Sequence, residues 1–219
     1  MRLFILGATG GIGQHLLRIG LERGHELTAY VRSPHKIPQA RERLAVVQGN
    51  LFDASAMARS LAGHDAVLSA FGPTTIRATT LRREFGRALA SALREGGVRR
   101  VQLVSAAFLF RKVGMLGALL KPTLFRFMAP DMAGMEREIM KDDLEWTVLR
   151  PPRLTDGPLT HSYRVADGEL PASSYVISRA DVAEFMINEA ETPAHLRQIV
   201  GLARALREPT RRGFAGRVA

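Results

Sequence analysis

Apolar positions along the chain fall into two alternating kinds of run. Short runs, apolar at successive positions, occupy Arg2 to Leu6, Glu26 to Val31, Leu44 to Gln48, Asp65 to Ala70, Arg100 to Ser105 and Glu145 to Leu149. Runs such as Ala66-Val67-Leu68 are apolar on both faces, as strands buried between two layers are. Between them lie stretches with helical spacing. Gly11 to Arg23 carries Ile12, Leu16, Leu17, Ile19 and Leu21 and stops at Gly24. Ser55 to Leu61 is a short helix that Ser55 could cap, Leu81 to Gly96 ends in Gly96-Gly97, and Glu136 to Asp142 belongs to a further helix. Strand and helix alternate through short connections, which predicts an α/β protein with a doubly wound parallel sheet.

The rhythm changes at Pro151. Loops rich in proline and glycine surround a short strand at Tyr175 to Ile177, a helix at Arg179 to Glu191 and a last strand at Gln198 to Val200. The chain, 1–219, reads as one domain. Within it, 151–200 form a small lobe over the carboxyl ends of the strands, where such sheets bind ligands, and 201–219 form a basic tail. Phe108 to Ala129 is either a lid or an irregular helix pair.

Composition narrows the chemistry. The 219 residues include no cysteine, so disulfides, thiolate catalysis, iron–sulfur clusters and cysteine-ligated zinc are excluded. The formal charge is +10, from 31 Lys+Arg against 21 Asp+Glu, and only Lys36, Lys112, Lys121 and Lys141 are lysine. The arginines are spread among acids without a stacking motif, so no nucleic-acid partner is expected. They fit a solvated surface, or a field that draws in phosphorylated or carboxylated ligands. No apolar stretch reaches the length of a membrane helix, and the N-terminus is too short for a signal peptide, so a cytoplasmic protein, monomer or dimer, is expected. His161 has no neighbour at metal-ligand spacing, and no metal site is expected.

Gly7-Ala8-Thr9-Gly10-Gly11-Ile12-Gly13 joins the first strand to the first helix. Gly7 suits a tight turn, Gly10 lets backbone approach a pyrophosphate, and Gly13 permits close packing of helix on strand. The N–H groups of the helix start then face the phosphates. Arg32 and Ser33 follow the second strand, where an NAD-binding protein usually carries an acid, and Lys36 is near. A planar cation suits a 2′-phosphate, which predicts NADP(H) as cofactor. The spacing Gly-x-x-Gly-x-x-Gly resembles the short-chain dehydrogenase/reductase superfamily, a Rossmann fold. The resemblance implies that Asn50 and Leu51 lie beside the adenine and that Gly72 passes near a ribose, with Phe71 either there or in the core.

Most short-chain reductases use a Tyr-x-x-x-Lys pair as proton donor and supporting cation. This chain has none: Tyr30, Tyr163 and Tyr175 are followed four residues on by Pro34, Asp167 and Arg179. A narrower likeness accounts for that. Leu103 to Leu109, Trp146 to Pro152, Asp156 to Tyr163 and Val176 to Asp181 resemble the biliverdin IXβ reductase/flavin reductase group of atypical, NmrA-like short-chain reductases. That resemblance implies hydride transfer from NADPH to a flavin or a similar planar acceptor (a quinone or tetrapyrrole) without a tyrosine acid. It implies a serine at the end of the fifth strand as part of the site. Ser105 is the candidate, although ungapped alignment on Ala107-Phe108-Leu109 sets Ala106 at that serine. It further implies that Pro151 and Pro152 lie against the nicotinamide, with Arg153, Leu154, Phe108 and Met132 on the acceptor side. Met132 stands in the region of the group's histidine. Met115, Met128, Met132 and Met135 suit either a soft wall for a planar ring or plain core. The other function to weigh is a non-catalytic NAD(P)-sensing protein that binds a partner; a sugar-nucleotide epimerase fits poorly.

Overall fold

The computed structural model describes residues 1–37, 42–72, 79–111, 128–141, 143–173 and 175–205. In chain order its elements are β1 (Arg2–Leu6), α1 (Gly11–Glu22), β2 (Glu26–Val31), β3 (Leu44–Gln48), α2 (Ala54–Leu61), β4 (Ala66–Ser69), α3 (Leu81–Gly96), β5 (Arg100–Val104), α4 (Ala129–Met140), β6 (Glu145–Arg150), β7 (Arg153–Thr155), β8 (Tyr163–Asp167), β9 (Val176–Ser178), α5 (Arg179–Glu191) and β10 (Gln198–Arg204). Eight strands form one sheet in the order β3-β2-β1-β4-β5-β6-β10-β8. All pairings in it are parallel except that of β10 with β8. The first six strands have the order of a dinucleotide-binding Rossmann sheet.

Alternation along the strands divides the core. Leu3 and Ile5 face α1 and α5, while Phe4 and Leu6 face α2, α3 and α4. On the first face α1 buries Ile12, Leu16, Leu17 and Ile19. Gly20 lets Leu27 of β2 lie about where a side chain would begin. On the second face, Gly86 of α3 brings the backbone of α4 at Met135 so close that a Cβ there would meet it at 2.8 Å. Helix α5 is buried on nearly every side, with Val182, Phe185, Met186 and Ile187 in the first core. Its acids are therefore paired: Glu184 with His161 and Arg23, and Glu189 with His195.

Several ends differ from the sequence-based expectation. Helix α2 is capped by Asp53, whose Oδ1 accepts from the Ala56 N–H at 2.9 Å, and Ser55 lies inside the helix. Helix α4 starts at Ala129, ahead of the expected Glu136, with Pro130 in its first turn. Strands β7 and β8 were not foreseen. Most of 151–200 is built into the main structure: β10 and β8 widen the sheet and α5 covers it beside α1. The two-stranded sheet of β7 and β9 is separate in its hydrogen bonding, but Ile177 and Leu154 pack it onto the first core. After a short turn at Ala107–Leu109, residues 112–127 of the expected lid segment lie outside the described residues, as do 206–219 of the basic tail.

His64 joins the two halves of the first Rossmann unit. Its Nδ1 donates to the Leu61 carbonyl at 2.9 Å, its Nε2 accepts from the Thr28 hydroxyl at 2.8 Å, and its ring meets Phe4 edge-on. Both nitrogens are satisfied in the neutral form. Burial holds the His64 pKa below its ordinary value of 6.5, with Arg2 adding to the effect. The unfolded chain therefore binds this proton more readily than the folded one. The His64 contribution is complete above pH 6.5 and is lost as pH falls toward the lowered folded value. We expect the melting temperature to drop on acidification from pH 7 to pH 5, and His64→Gln to flatten that slope. An unchanged slope in the variant would refute the assignment.

Candidate dinucleotide site

The site is built where β1 ends. Gly7 adopts φ +79, and a Cβ on it would meet the Ala70 carbonyl at 2.7 Å. The Gly10 N–H donates to the Gly7 carbonyl at 2.9 Å and closes the turn, and Gln14 N–H to Gly10 carbonyl is the first helical bond of α1. A Cβ on Gly13 would lie 2.1 Å from the Gly7 oxygen, so only glycine lets the helix sit this low on the turn. Thr9, Gly10 and Gly11 are exposed, and Ile12 turns its side chain into the core. The first N–H groups of a helix have no intrahelical partner. The first turn of α1 carries no acid and no side-chain cap. An anion is the partner such an end takes.

A cleft of about 580 Å³ runs from this turn across the carboxyl ends of β2, β3 and β4. Gly7, Thr9 and Gly10 form one end, and Arg32, Asn50, Leu51, Phe71 and Gly72 line it further along. These residues, chosen from the sequence, come together. Ser33 and Lys36 are beside them in a 3-10 turn after β2, joined by the Lys36 N–H to Ser33 carbonyl bond at 3.1 Å. Arg32 and Lys36 are exposed and free to meet a phosphate. Asn50 Oδ1 accepts from the Phe52 N–H at 3.1 Å, which shapes the loop and uses none of the amide's donors. Gly49 is required by Tyr30, whose ring would lie 1.9 Å from a Cβ there.

Phe71 lines the cleft and packs at a tilt on buried Phe85, with centroids 4.5 Å apart. Phe52 was missed by sequence reasoning. It is 42% exposed, stands edge-on to Phe71 and lines the same cleft as Leu81. An exposed aromatic just past the Gly49-Asn50-Leu51 segment was the available signal.

At the far end of the sheet, β5 and β6 stay zipped past their last paired residues. Ser105 N–H donates to the Leu149 carbonyl at 2.7 Å, and Ala107 N–H to the Pro151 carbonyl at 2.9 Å. This places Ser105 and Ala106 beside Pro151 and Pro152. The Ser105 side chain is buried, and its Oγ has no hydrogen-bond partner among the described residues. Below them Glu136 holds Arg150 through two bonds, Nε–Oε1 at 3.0 Å and Nη2–Oε2 at 2.5 Å, and the guanidinium lies 5.0 Å from the Phe110 ring centre.

The acceptor-side residues divide. Phe108 is half-buried near this corner. Met132 packs in the second core with Met135, so of its two readings the structure has core packing. Arg153 is exposed on β7 and Leu154 packs against the first core. Met115 lies outside the described residues. Asp131 on α4 is also committed to structure: its carboxylate accepts from the Arg82 and Arg83 N–H groups at 3.2 and 2.9 Å and caps α3 from a neighbouring helix. Among the described residues no cluster of His, Asp and Glu could hold a metal, and no helix is long and apolar enough to cross a membrane.

The glycine turn, the helix start and the cleft over the strand ends define a dinucleotide-binding α/β protein of the Rossmann type. A model of the NAD(P)H-binding family matches residues 7–193, and the chain belongs to that family. YwnB of Bacillus subtilis is 31% identical over 207 residues, covering 89% of this chain and 94% of YwnB. A “putative NADH-flavin reductase” of Streptococcus pneumoniae is 26% identical and superposes with a TM-score of 0.77 over 93% of this chain and 99% of its own. A short-chain dehydrogenase/reductase of Veillonella parvula, solved with NADP, superposes with a TM-score of 0.77 over 95% and 98% at 20% identity, a likeness of fold alone.

The Gly13 contact generates a direct test. Gly13→Ala must push the turn open, and overpacking of this kind costs about 1–3 kcal/mol. We expect a lower melting temperature and at least tenfold weaker dinucleotide binding by calorimetry, on the order of one lost phosphate contact. Gly72→Ala, with no atom of the described residues within 4 Å of its Cβ position, is expected to leave the melting temperature unchanged. Equal behaviour of the two variants would refute this account of the turn.

Proposed function

We propose that the protein is an NADPH-dependent reductase that passes a hydride to a flavin or a similar planar acceptor. The observation that carries the reading is Arg32 in the cleft at the end of β2, where the ribose hydroxyls of NAD are usually met by an acid. A guanidinium there suits a 2′-phosphate by charge and by its paired donors. Bound reduced nicotinamide supplies the hydride, and the acceptor takes it up with a proton.

The chain's part in that reaction is placement. The turn after β1 anchors the phosphates, Asn50, Leu51 and Phe52 border the adenine end, and Pro151 and Pro152 wall the nicotinamide end. Helix α4 carries no Tyr-x-x-x-Lys, and its buried acids are engaged: Asp131 with backbone N–H groups of α3 and Glu136 with Arg150. This supports a proton drawn from solvent through an open cleft. Among the described residues Ser105 is the hydroxyl beside Pro151 and Pro152, and it is proposed as the catalytic contact there. Holding the two rings in reacting geometry is enough for hydride transfer to proceed. Similarity to the Streptococcus pneumoniae protein favours a flavin among the planar acceptors.

The test is steady-state oxidation of NADPH and NADH with FMN, FAD, quinones and biliverdin. Turnover with at least one acceptor is expected, with NADPH preferred. Arg32→Ala should raise KM for NADPH by about tenfold, the worth of one charge-assisted contact, and leave NADH unaffected. NADPH preference surviving that substitution would refute the role of Arg32. Tight NADPH binding without oxidation by any acceptor would overturn the reductase and favour a nucleotide-sensing protein.

A further inference from the structure

Arg179, the first residue of α5, reaches back across the molecule to the glycine turn. Its Cδ lies 2.5 Å, and its Nε 2.9 Å, from the point where a Cβ on Gly11 would stand. Gly11 is the first residue of α1. The arginine thus fills the place that a side chain at position 11 would take, directly over the start of the phosphate-binding helix.

Charge at this point is unbalanced in one direction. Among the described residues every other α-helix carries an acid at its start: Asp53 caps α2, Glu84 and Asp131 serve α3, Asp131 lies in the first turn of α4, and Asp181 lies in the first turn of α5, which Ser178 caps. The start of α1 has none, and Arg179 adds a full cation beside it. His15, one turn further along α1, has its pKa held below 6.5 mainly by burial, with Arg18 and Arg179 lowering it and Asp156 opposing them. The anion that answers Arg179 in this structure is Asp156, with Nη1–Oδ1 at 2.6 Å. The Asp156 side chain is 90% exposed, whereas Arg179 is 29% exposed. A pair with so exposed a carboxylate is worth little and exchanges readily.

The geometry points to Arg179 as a pyrophosphate-binding residue of the dinucleotide site, supplied from α5, with Asp156 as the anion it releases when the cofactor arrives. The inference rests on dinucleotide binding at the glycine turn and is independent of the acceptor and of the choice between NADP(H) and NAD(H). It gives the two arginines separate tasks. Arg32 reads the 2′-phosphate, which only NADP(H) has, and Arg179 meets the diphosphate, which both cofactors share. It also couples the loop at Asp156, next to β7, to occupancy of the cofactor cleft.

Calorimetric titration of the full-length protein with NADPH, NADH and 2′-AMP tests this. Arg179→Met should raise Kd for NADPH and NADH by the same factor, about tenfold for loss of a charge-assisted contact, and leave 2′-AMP unchanged. Asp156→Asn should lower Kd for both dinucleotides by about twofold to threefold, because it removes a weak competing pair. Loss confined to NADPH, an equal loss for 2′-AMP, or no change in Arg179→Met would overturn the proposal. If Arg179→Met does not fold, Asp156→Asn decides: unchanged or weakened dinucleotide binding would overturn it as well. A wild-type protein that binds neither NADPH nor NADH would remove the cofactor site itself, an outcome distinct from intact binding that ignores Arg179.

Discussion

The approach of α1 to the end of β1 is the constraint from which the rest follows. Gly7 and Gly13 together let a helix begin within van der Waals reach of a carbonyl two turns of backbone earlier, at a distance that no Cβ would tolerate. Once α1 sits there, its start points over the carboxyl ends of β2, β3 and β4, and the cleft lies along them. The helix is then held to α5 at both ends. Arg23, at its C-terminus, binds Asn188, Glu191 and Glu184, and Arg179 of α5 covers Gly11 at its start. Between these ends Ile187 approaches Gly20 and the first core closes. A rigid anchor for phosphate is thus a by-product of packing two helices against one sheet face.

The same logic explains what becomes of the excess positive charge. Many arginines are absorbed by carboxylates on neighbouring elements: Arg100 by Glu145, Arg150 by Glu136, Arg82 by Asp131 and Arg23 by two glutamates of α5. Pairs such as Arg150–Glu136 are desolvated, and removing one partner of such a pair typically costs about 3–5 kcal/mol because the other charge is left buried. Among the described residues, three cations stand at or beside the glycine-turn cleft: Arg32 lines it, Lys36 follows in the next turn and Arg179 lies over Gly11. At the cleft, charge therefore acts through local placements of single cations on the described elements.

How much of this the sequence disclosed depends on the range of the interaction involved. The parallel strands were legible because their apolar runs are local, and the glycine turn because its geometry is set within a few residues. Asp53 could have been chosen over Ser55 as the cap of α2 only by knowing where the helix begins. Asp131 caps α3 from another helix, and no local pattern announces that. Strand β8 reads weakly because it is a half-buried edge, antiparallel to β10 and alternating with arginine and aspartate. Arg179 looked like an ordinary helix residue, since its meaning depends on a glycine far away in the chain. The residues that line the cleft beside the glycine turn were readable locally, whereas Met132 could be assigned to core or to wall only once α4 was seen against α3.

Helix α4 bears on the proposed reading, in which the protein places the reacting rings and leaves the proton to solvent. In a short-chain reductase with a tyrosine acid, this helix would present a hydroxyl and an ammonium toward the nicotinamide. Here its two buried acids are spent inward. Asp131 satisfies the start of α3, and Glu136 fixes Arg150 beneath Phe110 and so steadies the strand that ends in Pro151-Pro152. The carboxylates that might have handled a proton instead hold the walls of the cleft in register, and Ser105, buried with no partner among the described residues, is the polar group left at that corner. On the proposed reading, such a corner suits an acceptor whose own ring atoms take up the charge of the hydride. The proton then comes from solvent on that reading, since among the described residues the acids of α4 are already engaged.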